Sequence, residues 1–80
     1  MRVIYVDDEK PALDNFRFTV ADFTEIDSLE LFQNGDDAVE WMKKHAADVA
    51  FLDMEMPGGN GITLAKRLKA VNENLRVVFV

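Results

Sequence analysis

The sequence predicts an α/β fold built on a parallel sheet. Three short apolar runs, at residues 2–6, 48–52 and 76–80, are rich in β-branched and aromatic residues. None of them alternates strictly between polar and apolar residues, which is typical of strands covered on both faces. Helical patterns separate the runs, and this alternation of strand and helix favours parallel strands joined by crossover helices.

The first helix and the strand after it have local signals of their own. Pro11 is well placed at a helix start, because its missing N–H would have no partner in the first turn. Apolar residues then follow at helical spacing: Leu13, Phe16 and Val20. A weaker strand at residues 29–32 alternates in part, and this pattern suits an edge of the sheet.

Two further helices are predicted to begin beside asparagines, which are good capping residues. Asn34 precedes a glycine and two acids, and acids in a first turn favour a helix. Asn60 and Gly61 open the third helix, with Leu64 and Leu68 on one face. The expected order is strand, helix, weak strand, helix, strand, helix, strand, within one domain of residues 1–80.

Composition excludes several classes of function. A chain of 80 residues has room for one small domain, and the lack of cysteine excludes disulfides, thiolate metal sites and thiol nucleophiles. The formal net charge of −6 disfavours direct binding to nucleic acid, and the single histidine, His45, excludes catalysis by several histidines. No apolar run reaches the roughly 20 residues of a membrane span, and no signal peptide is evident. We therefore expect a cytoplasmic protein with no membrane partner.

Acidic residues follow two of the predicted strands directly. Asp7, Asp8 and Glu9 come after the first strand, and Asp53 comes after the third, with Glu55 two residues later. Ligands bind at the carboxyl ends of the strands in an open parallel sheet, so three of these acids converge if the two strands are neighbours. The acids after the first strand would by themselves fit an ordinary polar loop. The acids after the third strand favour a ligand-binding site instead. Converging carboxylates repel one another, and Mg²⁺, which prefers oxygen ligands, would offset that repulsion.

A glycine-rich segment follows Asp53. Residues 56–61 read Met-Pro-Gly-Gly-Asn-Gly and are predicted to form one tight loop before the third helix. Glycine permits unusual backbone dihedral angles and close approach of a ligand. The loop residues expected to line the site are Met56, Pro57, Gly58 and Gly61.

These motifs resemble the receiver domain of bacterial two-component response regulators. The resemblance rests on Val-Asp-Asp-Glu at 6–9, Phe-Leu-Asp-Met-Glu-Met-Pro-Gly-Gly-Asn-Gly at 51–61 and Val-Val-Phe-Val at 77–80, and it covers the whole chain. The second motif is most similar to regulators that carry a LytTR-type DNA-binding domain. The resemblance implies a flavodoxin-like, doubly wound parallel sheet with strand order 2-1-3-4-5.

The resemblance also implies roles for individual residues. Asp53 would be the phosphoacceptor, which takes a phosphoryl group from a histidine of a sensor kinase. Asp8 and Asp53 would bind Mg²⁺ or Mn²⁺ through their carboxylates, Asp7 directly or through water, and Glu55 through its backbone carbonyl. The chain would then be a signalling module rather than an enzyme, and it would control a separate output domain that binds DNA.

The sequence departs from the family pattern near its last residues. Receivers place a Ser or Thr after the fourth strand and a Lys after a fifth strand, and both positions would lie beyond Val80. We therefore expect an incomplete receiver fold that lacks the fourth helix, the fifth strand and the fifth helix. An open strand edge from Arg76 to Val80 would carry unpaired backbone groups, and it predicts self-association.

Three other functions are alternatives to the receiver. A fragment that cannot be phosphorylated, and that serves only as a folding or self-association unit, is the main alternative. An aspartyl phosphatase of the haloacid dehalogenase type would need Asp-x-Asp followed by Thr after the first strand, and Asp-Asp-Glu-Lys at 7–10 does not fit. A flavodoxin would need Ser, Thr or Gly in the same loop to hold the FMN phosphate.

Overall fold

The computed structural model describes residues 1–56 and 59–80. It has the predicted alternation of strands and helices, with one short antiparallel ladder inserted before the third helix. In chain order the elements are β1 (Arg2–Val6), α1 (Lys10–Val20), β2 (Ser28–Phe32), α2 (Gly35–Met42), β3 (Val49–Leu52), β4 (Glu55–Met56), β5 (Gly59–Asn60), α3 (Gly61–Val71) and β6 (Arg76–Phe79).

The main sheet has four parallel strands in the order β2-β1-β3-β6. This order matches the first four positions of the flavodoxin-like arrangement, so the predicted fold class is confirmed. The weak strand predicted at residues 29–32 is β2, and it lies at an edge as expected. The strand order reverses between β1 and β3, which are neighbours, and this is where open α/β sheets bind ligands.

The helices begin where the sequence predicts. Asn34 caps α2 by accepting a hydrogen bond from the Asp37 N–H at 2.8 Å, and Asn60 caps α3 through the Thr63 N–H at 2.9 Å. Pro11 lies in the first turn of α1. Within the described residues, no helix has the length and hydropathy that crossing a membrane requires.

The two faces of the sheet are covered by different helices. Alternate residues of β1 and β3 pack against α2 and α3, and they form the main core. Its fully buried members include Ile4, Leu52 and Leu68. On the other face, Tyr5 of β1 packs against Phe16 of α1, with ring centroids 4.4 Å apart. The residues that follow β1 and β3 are therefore supported from both sides of the sheet.

The prediction that all three apolar runs are covered on both faces is wrong for β6. Val78 and Phe79 are each 42% exposed, although Val77 packs against the core. The physical reason is the open edge that the sequence also predicts for Arg76 to Val80, because β6 pairs with β3 on one side and no described strand pairs with its other side. An apolar run fits an exposed edge strand as well as a central one.

Candidate functional site

The register between β1 and β3 places the predicted acids at one edge of the sheet. Val6 of β1 lies opposite Leu52 of β3, so Asp7 and Asp53 follow side by side. The backbone ladder continues one residue past the strands: the Asp53 N–H donates to the Val6 carbonyl at 3.0 Å, and the Asp7 N–H donates to the Phe32 carbonyl at 3.0 Å. Both acids are therefore fixed by the sheet itself.

Three carboxylates converge at this edge, as the sequence predicts. One carboxylate oxygen from each of Asp7, Asp8 and Asp53 lies within 4.8 Å of the other two. Asp7 is buried, while Asp8 and Asp53 are half-buried. Negative charges at this separation repel one another, most strongly where water is excluded. The arrangement offers a hard cation three oxygen ligands from one direction.

Asp7 has a hydrogen-bond donor on each of its oxygens. The Tyr5 hydroxyl donates to Asp7 Oδ2 at 2.7 Å, and the Glu9 backbone N–H donates to Oδ1 at 3.0 Å. A buried carboxylate without such partners would be strongly destabilising. The two donors therefore allow a charged side chain to lie inside the fold at this position.

Tyr5 is a site residue that the sequence analysis missed. Burial raises the pKa of its hydroxyl well above the ordinary value, and the hydrogen bond to Asp7 and the charges of Asp7 and Asp53 act in the same direction. The hydroxyl is therefore protonated at neutral pH and acts as a donor. The spacing of Tyr5 and Asp7 could have indicated this contact, because residues two apart on a strand project from the same face.

Asp53 has a close partner in the next element. The backbone N–H of Glu55, the first residue of β4, donates to Asp53 Oδ1 at 3.3 Å. The Glu55 side chain is exposed. The contact in the structure is thus made by the amide of Glu55, and the role of its carbonyl as a metal ligand stays a prediction.

The segment predicted as one loop has more structure than expected. Residues on either side of its centre form the β4–β5 ladder, in which Glu55 pairs with Asn60 and Met56 pairs with Gly59. Met56 is therefore a strand residue, and the prediction of a continuous loop from position 56 to 61 is wrong. Strands of two residues are too short to leave a periodic pattern in the sequence. Two other predicted loop residues, Pro57 and Gly58, lie outside the described residues.

Gly61 brings the start of α3 directly against the site. Its N–H donates to the Met54 carbonyl at 2.9 Å. A Cβ atom at position 61 would lie 2.7 Å from the Asp53 carbonyl oxygen and 3.1 Å from the Met54 Cα. Only glycine allows the helix and the strand end to approach this closely. The sequence places Gly61 in the loop that lines the site, and its part in binding a ligand stays a prediction.

A cleft of about 410 Å³ opens beside the acids, between the first turns of α2 and α3. Asp8 forms part of its wall, together with the two capping residues, Asn34 and Asn60. At the rim, Arg67 of α3 donates to Asp36 of α2 at 2.9 Å. The cleft gives solvent and ions a path to the acidic cluster.

The negative charge of the cluster has no partner among the ion pairs of residues 1–56 and 59–80. Those pairs join Met1 to Asp27, Lys43 to Glu40 and Arg67 to Asp36. A set of three oxygen donors with no cationic side chain bound to it fits a hard divalent cation better than a soft one. The donor chemistry thus agrees with Mg²⁺ or Mn²⁺.

The fold and the site together define an α/β module with an acidic site at the carboxyl ends of its central strands. The chain belongs to the response regulator receiver domain family, whose family model matches residues 3–80. The predicted family is thereby confirmed.

Curated relatives and solved structures agree with this assignment. Sporulation initiation phosphotransferase F of Bacillus subtilis is 31% identical over 81 residues, which cover 99% of this chain and 62% of that protein. Sensory transduction protein LytT of the same organism is 32% identical over 79 residues, which cover 99% of this chain and 33% of that protein.

Among solved structures, the RcsB response regulator of Salmonella typhimurium superposes with a TM-score of 0.87 at 28% identity, covering 99% of this chain and 41% of that one. A two-component transcriptional regulator AraC from Clostridium phytofermentans gives a TM-score of 0.88 at 26% identity, covering 99% of this chain and 64% of that one. The chain therefore spans between one third and two thirds of the length of these proteins.

Proposed function

We propose that this chain is a phosphoacceptor module of a two-component system and that Asp53 receives the phosphoryl group. The proposal depends on one observation above all, the convergence of Asp53 with Asp7 and Asp8 at the carboxyl edge of the sheet. Membership of the receiver family supports the role. The module passes on a signal and is not itself a turnover enzyme.

In the proposed reaction, a carboxylate oxygen of Asp53 attacks the phosphorus of a phosphohistidine on a sensor kinase. A new oxygen–phosphorus bond forms while the nitrogen–phosphorus bond breaks, and the histidine nitrogen keeps the electron pair. The Glu55 N–H holds Asp53 Oδ1 at 3.3 Å, so we assign the attack to Oδ2. Phosphoryl transfer depends mainly on such positioning and on charge neutralisation, and carboxylates serve as nucleophiles in this chemistry.

Asp7, Asp8 and Asp53 would hold Mg²⁺ or Mn²⁺, with the Glu55 carbonyl as a fourth protein ligand. A bound ion would neutralise negative charge on the phosphoryl oxygens. The role of the chain is to keep three acids together before the ion arrives. The sheet fixes Asp7 and Asp53 through their backbones, and the cleft leaves Asp8 accessible to the ion.

The proposed partner upstream is a sensor histidine kinase, and the proposed output downstream is a DNA-binding domain. A structure of the regulator RcsB in complex with DNA superposes on this chain with a TM-score of 0.88 at 28% identity, which supports such an output. The similarity to LytT supports an output of the LytTR type. The net charge of −6 indicates that the module itself does not contact DNA.

The decisive test is phosphorylation by acetyl phosphate with Mg²⁺, followed by intact-mass measurement. We expect Asp53→Asn to gain no phosphoryl group. On the wild-type chain the phosphorylated fraction should be small and short-lived, because the Lys that pairs with the phosphoryl group in receivers is expected beyond Val80. Asp14→Asn is the matched control, because Asp14 is an exposed acid on α1. Modification of Asp53→Asn would contradict the assignment. An unmodified wild-type chain would favour the alternative function, a folding or self-association unit.

A second candidate role is self-association through the strand edge from Arg76 to Val80. Three apolar side chains near this edge are exposed: Val78 and Phe79 by 42% each, and Val80 by 56%. Open strand edges with apolar side chains pair readily with other chains. Pairing of two copies through β6 would bury these side chains and satisfy the backbone groups of the edge.

A further inference from the structure

We infer that Tyr5 is a positioning residue of the cation site, acting through Asp7. The inference rests on the proposed function, because it concerns the site where the ion would bind. The receiver motif spans positions 6–9, and Tyr5 lies one residue before that motif. Its hydroxyl nevertheless donates to Asp7 Oδ2 at 2.7 Å inside the fold.

The ring of Tyr5 is held firmly, and its hydroxyl is therefore a fixed donor. Tyr5 is only 6% exposed. The Phe16 ring of α1 packs against it at 4.4 Å, and Phe16 in turn packs at 5.0 Å against Phe51 of β3. Because the ring is buried and packs against α1, the hydroxyl can reach Asp7 without ordering a mobile side chain.

The hydroxyl fixes the orientation of the Asp7 carboxylate. Tyr5 binds Oδ2 and the Glu9 N–H binds Oδ1, so rotation of the carboxylate would break two hydrogen bonds. Each carboxylate oxygen can accept more than one bond, so both oxygens keep a lone pair for an ion or its water. Donors behind a ligand commonly orient it in this way, and their loss typically lowers metal affinity about 10- to 100-fold.

A purely structural role for Tyr5 makes a different prediction. If the hydroxyl only satisfied a buried acid, its removal would lower stability and leave the affinity of the folded protein for the ion unchanged. If the hydroxyl positions Asp7, its removal lowers that affinity as well, and the effect disappears when Asp7 is already altered. The two roles are therefore separated by measuring affinity and stability on the same variants.

The experiment is a titration with Mn²⁺, read from the electron paramagnetic resonance signal of the free ion. We expect Tyr5→Phe, which keeps the ring and removes the hydroxyl, to bind Mn²⁺ about 10-fold more weakly than the wild type. Ile4→Val is the matched control, because Ile4 is buried on the same strand and belongs to the core on the opposite face. This control should lose stability and keep its affinity. In an Asp7→Asn background, Tyr5→Phe should cause no further loss of affinity.

The wild-type protein gives a second readout that needs no variant at position 5. Tyr5 is the only tyrosine of the chain, so the tyrosine bands of an ultraviolet difference spectrum, recorded with and without the ion and resolved from those of Trp41, report on its hydroxyl. We expect this absorbance to change with Mn²⁺ concentration at the same midpoint as ion binding, and a constant spectrum would overturn the inference. So would an unchanged affinity in Tyr5→Phe, or a loss that persists in the Asp7→Asn background. A wild-type chain that binds no Mn²⁺ would instead refute the proposed cation site itself.

Discussion

Replacing Gly61 by alanine tests how closely α3 must approach the end of β3, where Asp53 lies. The added Cβ would lie 2.7 Å from the Asp53 carbonyl oxygen, and real Cβ atoms essentially never come nearer than 3.0 Å to such a neighbour. The three nearest atoms all belong to the backbone of Asp53 or Met54, so no side chain can rotate away. The start of α3 and the end of β3 must therefore separate by at least 0.3 Å.

The expected cost follows from two opposing effects. Forcing an extra methyl group into a packed region usually costs about 1–3 kcal/mol. Alanine in place of glycine within a helix raises the free energy of unfolding by up to about 1 kcal/mol through its higher helix propensity. We therefore expect Gly61→Ala to lower the free energy of unfolding by about 1–2 kcal/mol, or the melting temperature by about 5–15 °C for a domain of this size.

The matched control is Gly35→Ala. Gly35 is likewise the first residue of its helix, but its nearest neighbour is Leu64 Cδ1 at 2.9 Å, the far end of a flexible side chain. A side-chain end can shift more readily than backbone, so we expect Gly35→Ala to cost less free energy of unfolding than Gly61→Ala.

Urea unfolding followed by the fluorescence of Trp41, the only tryptophan, gives both free energies. The affinity for Mn²⁺ should fall in Gly61→Ala alone, because only that variant displaces Asp53. Equal stability of the two variants, or a more stable Gly61→Ala, would refute the reasoning.

Two further outcomes are expected from other parts of the fold. Light scattering across dilution should show association of the wild type that Val78→Lys abolishes and that Val71→Lys, which alters an exposed valine at the end of α3, leaves intact. A wild type that is monomeric at every concentration would contradict the edge-pairing proposal. Because the pKa of Tyr5 is raised in the folded state, its contribution to stability is complete below about pH 10, the ordinary value, and is lost as the pH rises further. As the pH rises above that value, the urea midpoint should decrease in the wild type and stay constant in Tyr5→Phe. Tyrosinate absorbance that appears near pH 10 in the folded protein would contradict a raised pKa of Tyr5.

The sequence predicted the sheet and the acidic cluster because both depend on short-range patterns and one topological rule. Apolar runs mark the strands at residues 2–6, 48–52 and 76–80 within about one residue of their observed bounds. The carboxyl ends of neighbouring parallel strands meet at one edge of a sheet, so acids directly after two such strands must converge. The convergence of Asp7 with Asp53 follows from that rule once the first and third predicted strands are neighbours, which the resemblance to receivers implies.

The features that the sequence did not predict depend on contacts that leave no local pattern. Tyr5 looks like any aromatic residue of a buried strand, and its role is visible only once its hydroxyl is seen on Asp7. The ladder that pairs Met56 with Gly59 is too short to show a period.

The backbone hydrogen bonds of Asp7 and Asp53, which continue the ladder past β1 and β3, determine how long the site persists. The amide hydrogens of Asp7 and Asp53 are bonded to neighbouring strands, so they should exchange with solvent only when the sheet itself opens. The backbone positions of these two residues therefore persist for as long as the protein stays folded. A core substitution that lowers stability reduces the number of folded molecules and leaves the site of each folded molecule unchanged. Loss of the proposed function in such a variant would reflect the amount of folded protein and not the chemistry of the site.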